Sequence, residues 1–200
     1  MKANPTAAAR WVASALAVAL FPLPARAHLI STGLGPVYDG IAHFALTLED
    51  LLPAFALALL AGLRGKDHAR HVVIALPLAW FLGGGLGMFF TAHPPIVPGW
   101  LPLLALGILV ASDLALPRTA TTTIAIVFGT LLGFENGISM AQTGTGGRGV
   151  LGASVAVFVL TTLVAACVAA WRTGWLRIAW RVAGSWIAAG GLLLLGWSLR

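Results

Sequence analysis

The run Val150-Leu-Gly-Ala-Ser-Val-Ala-Val-Phe-Val-Leu-Thr-Thr-Leu-Val-Ala-Ala-Cys-Val-Ala-Ala-Trp171 places 22 residues in a row without a charged side chain. About 20 apolar residues in a helix cross the hydrocarbon core of a bilayer, so this stretch predicts a transmembrane helix. Comparable runs extend from Val72 to Ala92, Trp100 to Leu116, Thr121 to Met140 and Ile178 to Leu199. Leu48 to Leu63 is also apolar and becomes a full span if its helix begins upstream, near Asp39 to Thr47. The expected architecture is an all-α polytopic membrane bundle of about six transmembrane helices.

Composition agrees. Of 200 residues, 59% are hydrophobic and 9% charged, too few charges to cover a soluble domain of this size. The net charge of +6 comes from Lys and Arg scattered singly between apolar runs. That pattern speaks for topology signals and against a nucleic-acid surface, which would gather them into a patch. Cys167, the single cysteine, can form no internal disulfide or thiolate cluster and reads as a packing residue.

Residues 1 to 27 combine Lys2 and Arg10, an apolar stretch from Trp11 to Phe21, the helix breakers Pro22 and Pro24, and Ala25-Arg26-Ala27. This is the layout of a signal peptide with an A-x-A cleavage site. The domain reading is therefore a signal peptide over 1–27 and a six-helix transmembrane domain over 28–200. Cleavage after Ala27 would leave His28 as the new terminus, where free amine and imidazole can chelate a transition metal. It would also leave the mature N-terminus outside. The first connection, Arg64 to Arg70, and the later ones holding Arg118, Arg172 and Arg177 then fall inside, as the positive-inside rule requires. The expected location is a bacterial inner membrane, multi-pass, with a periplasmic N-terminus and lipid as the surrounding partner. Gly83-Gly84-Gly85 with Gly87, and Gly184, Gly190 and Gly191, predict close helix packing.

Six acidic residues occur in the chain. Asp67, in a basic loop, and Asp113, beside a span end, are explained by solvation. Asp39, Glu49, Asp50 and Glu135 lie in or at the edge of apolar segments, where an ionisable group is costly and is a functional candidate. On a continuous helix, Asp39, His43 and Asp50 fall within about 40° of one another; Pro36 and Gly40 offer a bent or re-entrant turn before His43 as the alternative, which changes the angles and not the residues. A carboxylate, an imidazole and a second carboxylate on one face suit a borderline divalent metal. The alternative is that Asp39 caps the helix and His43, Glu49 and Asp50 are interfacial. A second polar stripe, Glu135, Asn136, Ser139, Met140 and Gln142, marks the fourth span, where Glu135 needs a metal, a proton or a polar partner on the first span. His93, His68 and His71 read as loop or interfacial residues, with metal uptake or release as the alternative.

His28-Leu-Ile-Ser-Thr-Gly-Leu-Gly-Pro-Val-Tyr-Asp-Gly-Ile-Ala-His43, with Glu49-Asp50-Leu-Leu-Pro53 and Ala61-Gly62-Leu63, resembles the HupE/UreJ family of hydrogenase and urease accessory membrane proteins, and within it the divergent branch. The better-known branch has Asp directly before the first-span His, whereas here Ala42 precedes His43 and Asp39 lies a turn earlier. The fourth-span motif, histidine-rich in that branch, is Phe134-Glu135-Asn136-Gly137 here. The resemblance implies a permease for a divalent transition metal, nickel or cobalt favoured, that supplies metalloenzyme maturation.

Together these readings give a candidate metal set of His28, Asp39, His43, Asp50, Glu135 and Asn136, with the metal as transported ligand. No prosthetic group and no catalytic residue is expected. The chain has no H-E-x-x-H helix or G-x-S-x-G elbow, which disfavours a metal-dependent intramembrane enzyme. A non-transporting accessory subunit, docked on a membrane or metalloenzyme-maturation partner, is the other reading.

Overall fold

A computed structural model describes residues 31–90 and 95–200. The expected signal peptide, its cleavage point, His28 and His93 lie outside the described residues. The rest is helical, with no strand among the described residues: α1 (Pro36–Leu46), α2 (Leu48–Arg64), α3 (Lys66–Gly87), α4 (Trp100–Ser112), α5 (Arg118–Gln142), α6 (Gly146–Ala170) and α7 (Gly174–Ser198).

α2 is the axis of the bundle. From Ala56 to Leu63 every residue is buried, as an apolar helix becomes when neighbours surround it. It packs against α6, α4, α3 and α1, while α3 pairs with α5, and α4 with α7. A single residue, Gly65, joins α2 to α3 at φ +108, a conformation that disfavours any side chain. The Arg172 guanidinium fills the space where a Cβ would stand.

The α3–α5 contact shows how the helices come so close. Gly129, Gly133 and Gly137 line one face of α5 at intervals of four, and a Cβ at Gly133 or Gly137 would overlap the carbonyls of Trp80 or Gly84 on α3. In return, Gly83 and Gly87 lie on the carbonyls of Thr130 and Phe134. In lipid, where no hydrophobic force drives helices together, such backbone approach supplies the packing. The α5 glycines escaped the sequence reading, although their spacing of four was visible there. Gly184 and Gly191 serve the α4–α7 contact as expected, against Val110 and Leu104.

Four helices, α3, α5, α6 and α7, are long and apolar enough to cross a membrane. α1 and α2 pass the same test only as one bent pair, turning by 75° at Thr47. The continuous helix expected over this region is therefore broken. Thr47 is extended, with φ −90 and ψ 100; its N–H still donates to the His43 carbonyl at 3.0 Å, while its own carbonyl receives Asp50 and Leu51 at 3.0 and 2.9 Å. Glu49 and Asp50 then stand in the first turn of α2, where the helix dipole favours negative charge.

The span expected from Trp100 to Leu116 also differs. α4 has 13 residues, about 20 Å of helix, and stops at Asp113, which adopts φ 54. Asp113 is not solvated as its position suggested. Its carboxylate is 11% exposed and pairs with Arg64 and, at 2.6 Å, with Arg177, while Arg64 also donates to the Asp113 carbonyl at 3.1 Å. At the opposite end of α4, Gly99 lies against the Glu49 carboxylate. Hence α4 runs parallel to α2 for its whole length.

Candidate functional site

The break at Thr47 leaves α1 packed on α6 and puts the first turn of α2 beside α5, and three polar side chains meet near the break. Asp50 and Asn136 are 8% and 3% exposed, and the Asn136 Nδ2 donates to Asp50 Oδ2 at 2.8 Å. His43 Nε2 stands 3.9 Å from the same oxygen. Phe44, next to His43 in the chain, meets Trp80 edge to face at 5.6 Å between centroids.

Because the amide nitrogen faces an acceptor, the Asn136 Oδ1 points elsewhere, and it is buried without a hydrogen-bond partner among the described residues. A buried carbonyl oxygen left unmet is costly and is a seat for a donor or a cation. Asp50 has no Lys or Arg partner among the described residues. The site thus offers a carboxylate, an imidazole and an amide oxygen, all competent toward a borderline divalent cation. Pro53, inside α2, has no N–H to give the Glu49 carbonyl and so leaves a further oxygen without its helical donor.

The adjacent residues of each pair point outward. Glu135 Oε1 accepts the Ile96 N–H at 2.7 Å, and the Glu49 carboxylate lies against Gly99. Two consecutive polar pairs, Glu49-Asp50 and Glu135-Asn136, thus divide their work: Asp50 and Asn136 bond each other, while Glu49 and Glu135 meet the 95–99 segment. Phe90 braces Phe134 beside this segment at 5.0 Å between centroids. The polar partner that reaches the first span is Asn136, and Glu135 meets backbone.

Not every candidate joins. Asp39 accepts the backbone N–H and hydroxyl of Thr32 at 2.6 and 2.7 Å, holding the turn that leads into α1; it does not cap the helix, whose N-cap is Gly35. No group of three His, Cys, Asp or Glu side chains converges as a metal cluster among the described residues; of the face expected to align Asp39, His43 and Asp50, the last two stay together across the break while Asp39 turns to Thr32. Met140 takes the Thr145 hydroxyl on its sulfur at 3.0 Å and is packed, 2% exposed. At the far end of the bundle, His71 Nδ1 lies 2.7 Å from the Asp67 carbonyl and His68 Nε2 lies 3.4 Å from that of Leu116. Arg64, Lys66, Arg70, Arg118 and Arg172 line the same cavity as His68, surroundings that repel a cation and favour the interfacial reading of that histidine.

A bundle of apolar helices around a buried polar group at a broken span defines a polytopic helical membrane protein. The family model described as HupE / UreJ protein matches residues 16–194. The chain belongs to that family, one of metal-related accessory membrane proteins. No curated protein and no solved structure matches the chain.

Proposed function

We propose that this protein is an inner-membrane permease for a divalent transition metal, nickel or cobalt favoured, serving metalloenzyme maturation. The observation that carries this reading is the break at Thr47 beside the buried Asp50–Asn136 pair and His43. Broken helices at polar sites are a recurrent way to place backbone carbonyls and helix ends around an ion inside a membrane.

On this reading, Asp50 supplies the charge that draws the cation, neutral His43 the soft nitrogen, and Asn136 its unpartnered oxygen. A small ligand set is an asset, because conduction needs sites weak enough to release the ion. The mature His28 amine and imidazole would gather the ion on the periplasmic side, and Glu135 and Glu49 would govern its passage beneath the 95–99 segment. Six crossings are supported by α4 running the length of α2 between Glu49–Gly99 and Arg64–Asp113, despite its short helix. The basic end gathering Arg64, Lys66, Arg118 and Arg172 would face the cytoplasm.

Radiolabelled nickel and cobalt uptake into proteoliposomes tests the proposal. Asp50→Asn and His43→Ala are expected to lower uptake by about tenfold or more, with Asp39→Asn close to wild type. Full uptake by both site variants, at equal protein, would reject the site; no uptake by the wild type would leave an accessory membrane role as the better reading.

A further inference from the structure

The basic end of the bundle holds a cavity that the transport reading does not use. Its volume is about 650 Å³, and Arg64, Lys66, Arg70, Arg118 and Arg172 line it with Asp67 as the single carboxylate. Some of this charge is committed: Arg64 pairs with Asp113, Arg172 donates to the Arg64 carbonyl at 3.3 Å, and Arg70 stands 3.9 Å from Asp67 in an exposed pair. Lys66 and Arg118 have no acidic partner among the described residues. The cavity therefore carries uncompensated positive charge.

An apolar groove of about 350 Å³ opens from it between α3 and α6, sharing Lys66, Arg70 and Ala169 with the cavity. Alanines make it: Ala69 on α3 and Ala166, Ala169 and Ala170 on α6 leave a furrow where larger side chains would meet. Ala58 of α2 and Ala165 pack with Ala69 behind it. A second apolar groove of about 400 Å³ continues along the same two helices, with Ile74, Pro77 and Phe81 facing Val155 and Phe158. From Lys66 to Phe81 the seam rises about 22 Å, more than the depth of one leaflet, about 15 Å.

We propose that this seam is a seat for an anionic phospholipid. The phosphate lies between Lys66 and Arg118, and one acyl chain lies along the alanine furrow of α3 and α6. A soluble phosphate would use the cavity but not the furrow. A zwitterionic lipid would fill the furrow but gain little from the uncompensated charge. Basic pockets between membrane helices select anionic headgroups by this combination.

The test is binding of fluorescent phosphatidylglycerol and phosphatidylcholine to the full-length protein in detergent, with inorganic phosphate and glycerol 1-phosphate as competitors. Phosphatidylglycerol is expected to bind at least about tenfold tighter than phosphatidylcholine, and the Lys66→Gln/Arg118→Gln double variant to lose about thirtyfold of that affinity. Ala166→Trp, at an exposed position that blocks the furrow, should lower phosphatidylglycerol binding too. Arg118→Lys, which keeps the charge, should bind as wild type, and unchanged melting of each variant confirms its fold. Equal affinity for the two lipids overturns the proposal. So does full competition by inorganic phosphate with no effect of Ala166→Trp, which would make the ligand a soluble phosphate.

Discussion

Asp113 and Asp50 both stand at helix ends, and their neighbours set them to opposite tasks. Asp113 sits between the guanidiniums of Arg64 and Arg177, so its charge is compensated and the group ties α2, α4 and α7 together. Asp50 is bonded by a neutral amide with an imidazole nearby and has no Lys or Arg partner among the described residues, the feature on which the proposed cation site rests. Asp113→Asn keeps a residue tolerant of positive φ but strands Arg64, so thermal melting in detergent should show a loss of about 3 kcal/mol. Arg177→Gln removes a guanidinium that is 41% exposed and should cost about 1 kcal/mol or less. Equal losses would mean that the pair with Arg64 is not the structural one. Chemical type was enough to single out Asp50, His43 and Asn136 in the sequence, whereas the partner of each depended on which helices met.

At the scale of elements, the α3–α5 contact rests on backbone meeting backbone. Gly83→Ala and Gly137→Ala put a methyl group into the carbonyls of Thr130 and Gly84; overpacking of this kind costs about 1–3 kcal/mol. Gly85 has nothing within 4 Å of where a Cβ would stand, so Gly85→Ala should melt as the wild type does, or slightly higher, since alanine favours helix. Loss of stability in Gly85→Ala equal to that in the other two would show that glycine acts here through flexibility rather than contact. The break between α1 and α2 belongs to the same scale. Hydropathy joins Asp39 through Leu63 into one apolar span, because a moving average of polarity is blind to a single extended residue such as Thr47. The candidate face of Asp39, His43 and Asp50 rested on that continuity. Its two members nearest the break remain together, while Asp39 turns to Thr32.

Across the whole molecule, charge divides the two ends. Arg64, Lys66, Arg118 and Arg172 share one cavity, and the Asp50 site lies toward the other end of α2. If six segments cross, Arg118→Cys in a Cys167→Ser background should react with a membrane-impermeant maleimide only after the cytoplasmic side is opened, and Arg148→Cys should react in intact spheroplasts. Both positions are exposed. Labelling of both from the same side would contradict six crossings. Exposed Trp171 and Trp175 flank the start of α7 and exposed Trp197 its end, as expected of a spanning helix, at whose ends aromatic side chains collect. Sequence by itself determined that this is a helical membrane protein with the motifs of the HupE/UreJ family and marked Asp50 and Asn136 as polar groups in apolar segments, because hydrophobicity and chemical type are properties of the residue. Only tertiary structure decided that Asn136 rather than Glu135 reaches Asp50, that Asp113 is a buried tie, and that basic residues from three connections share a cavity, because a partner is chosen by helix packing across many tens of residues of chain.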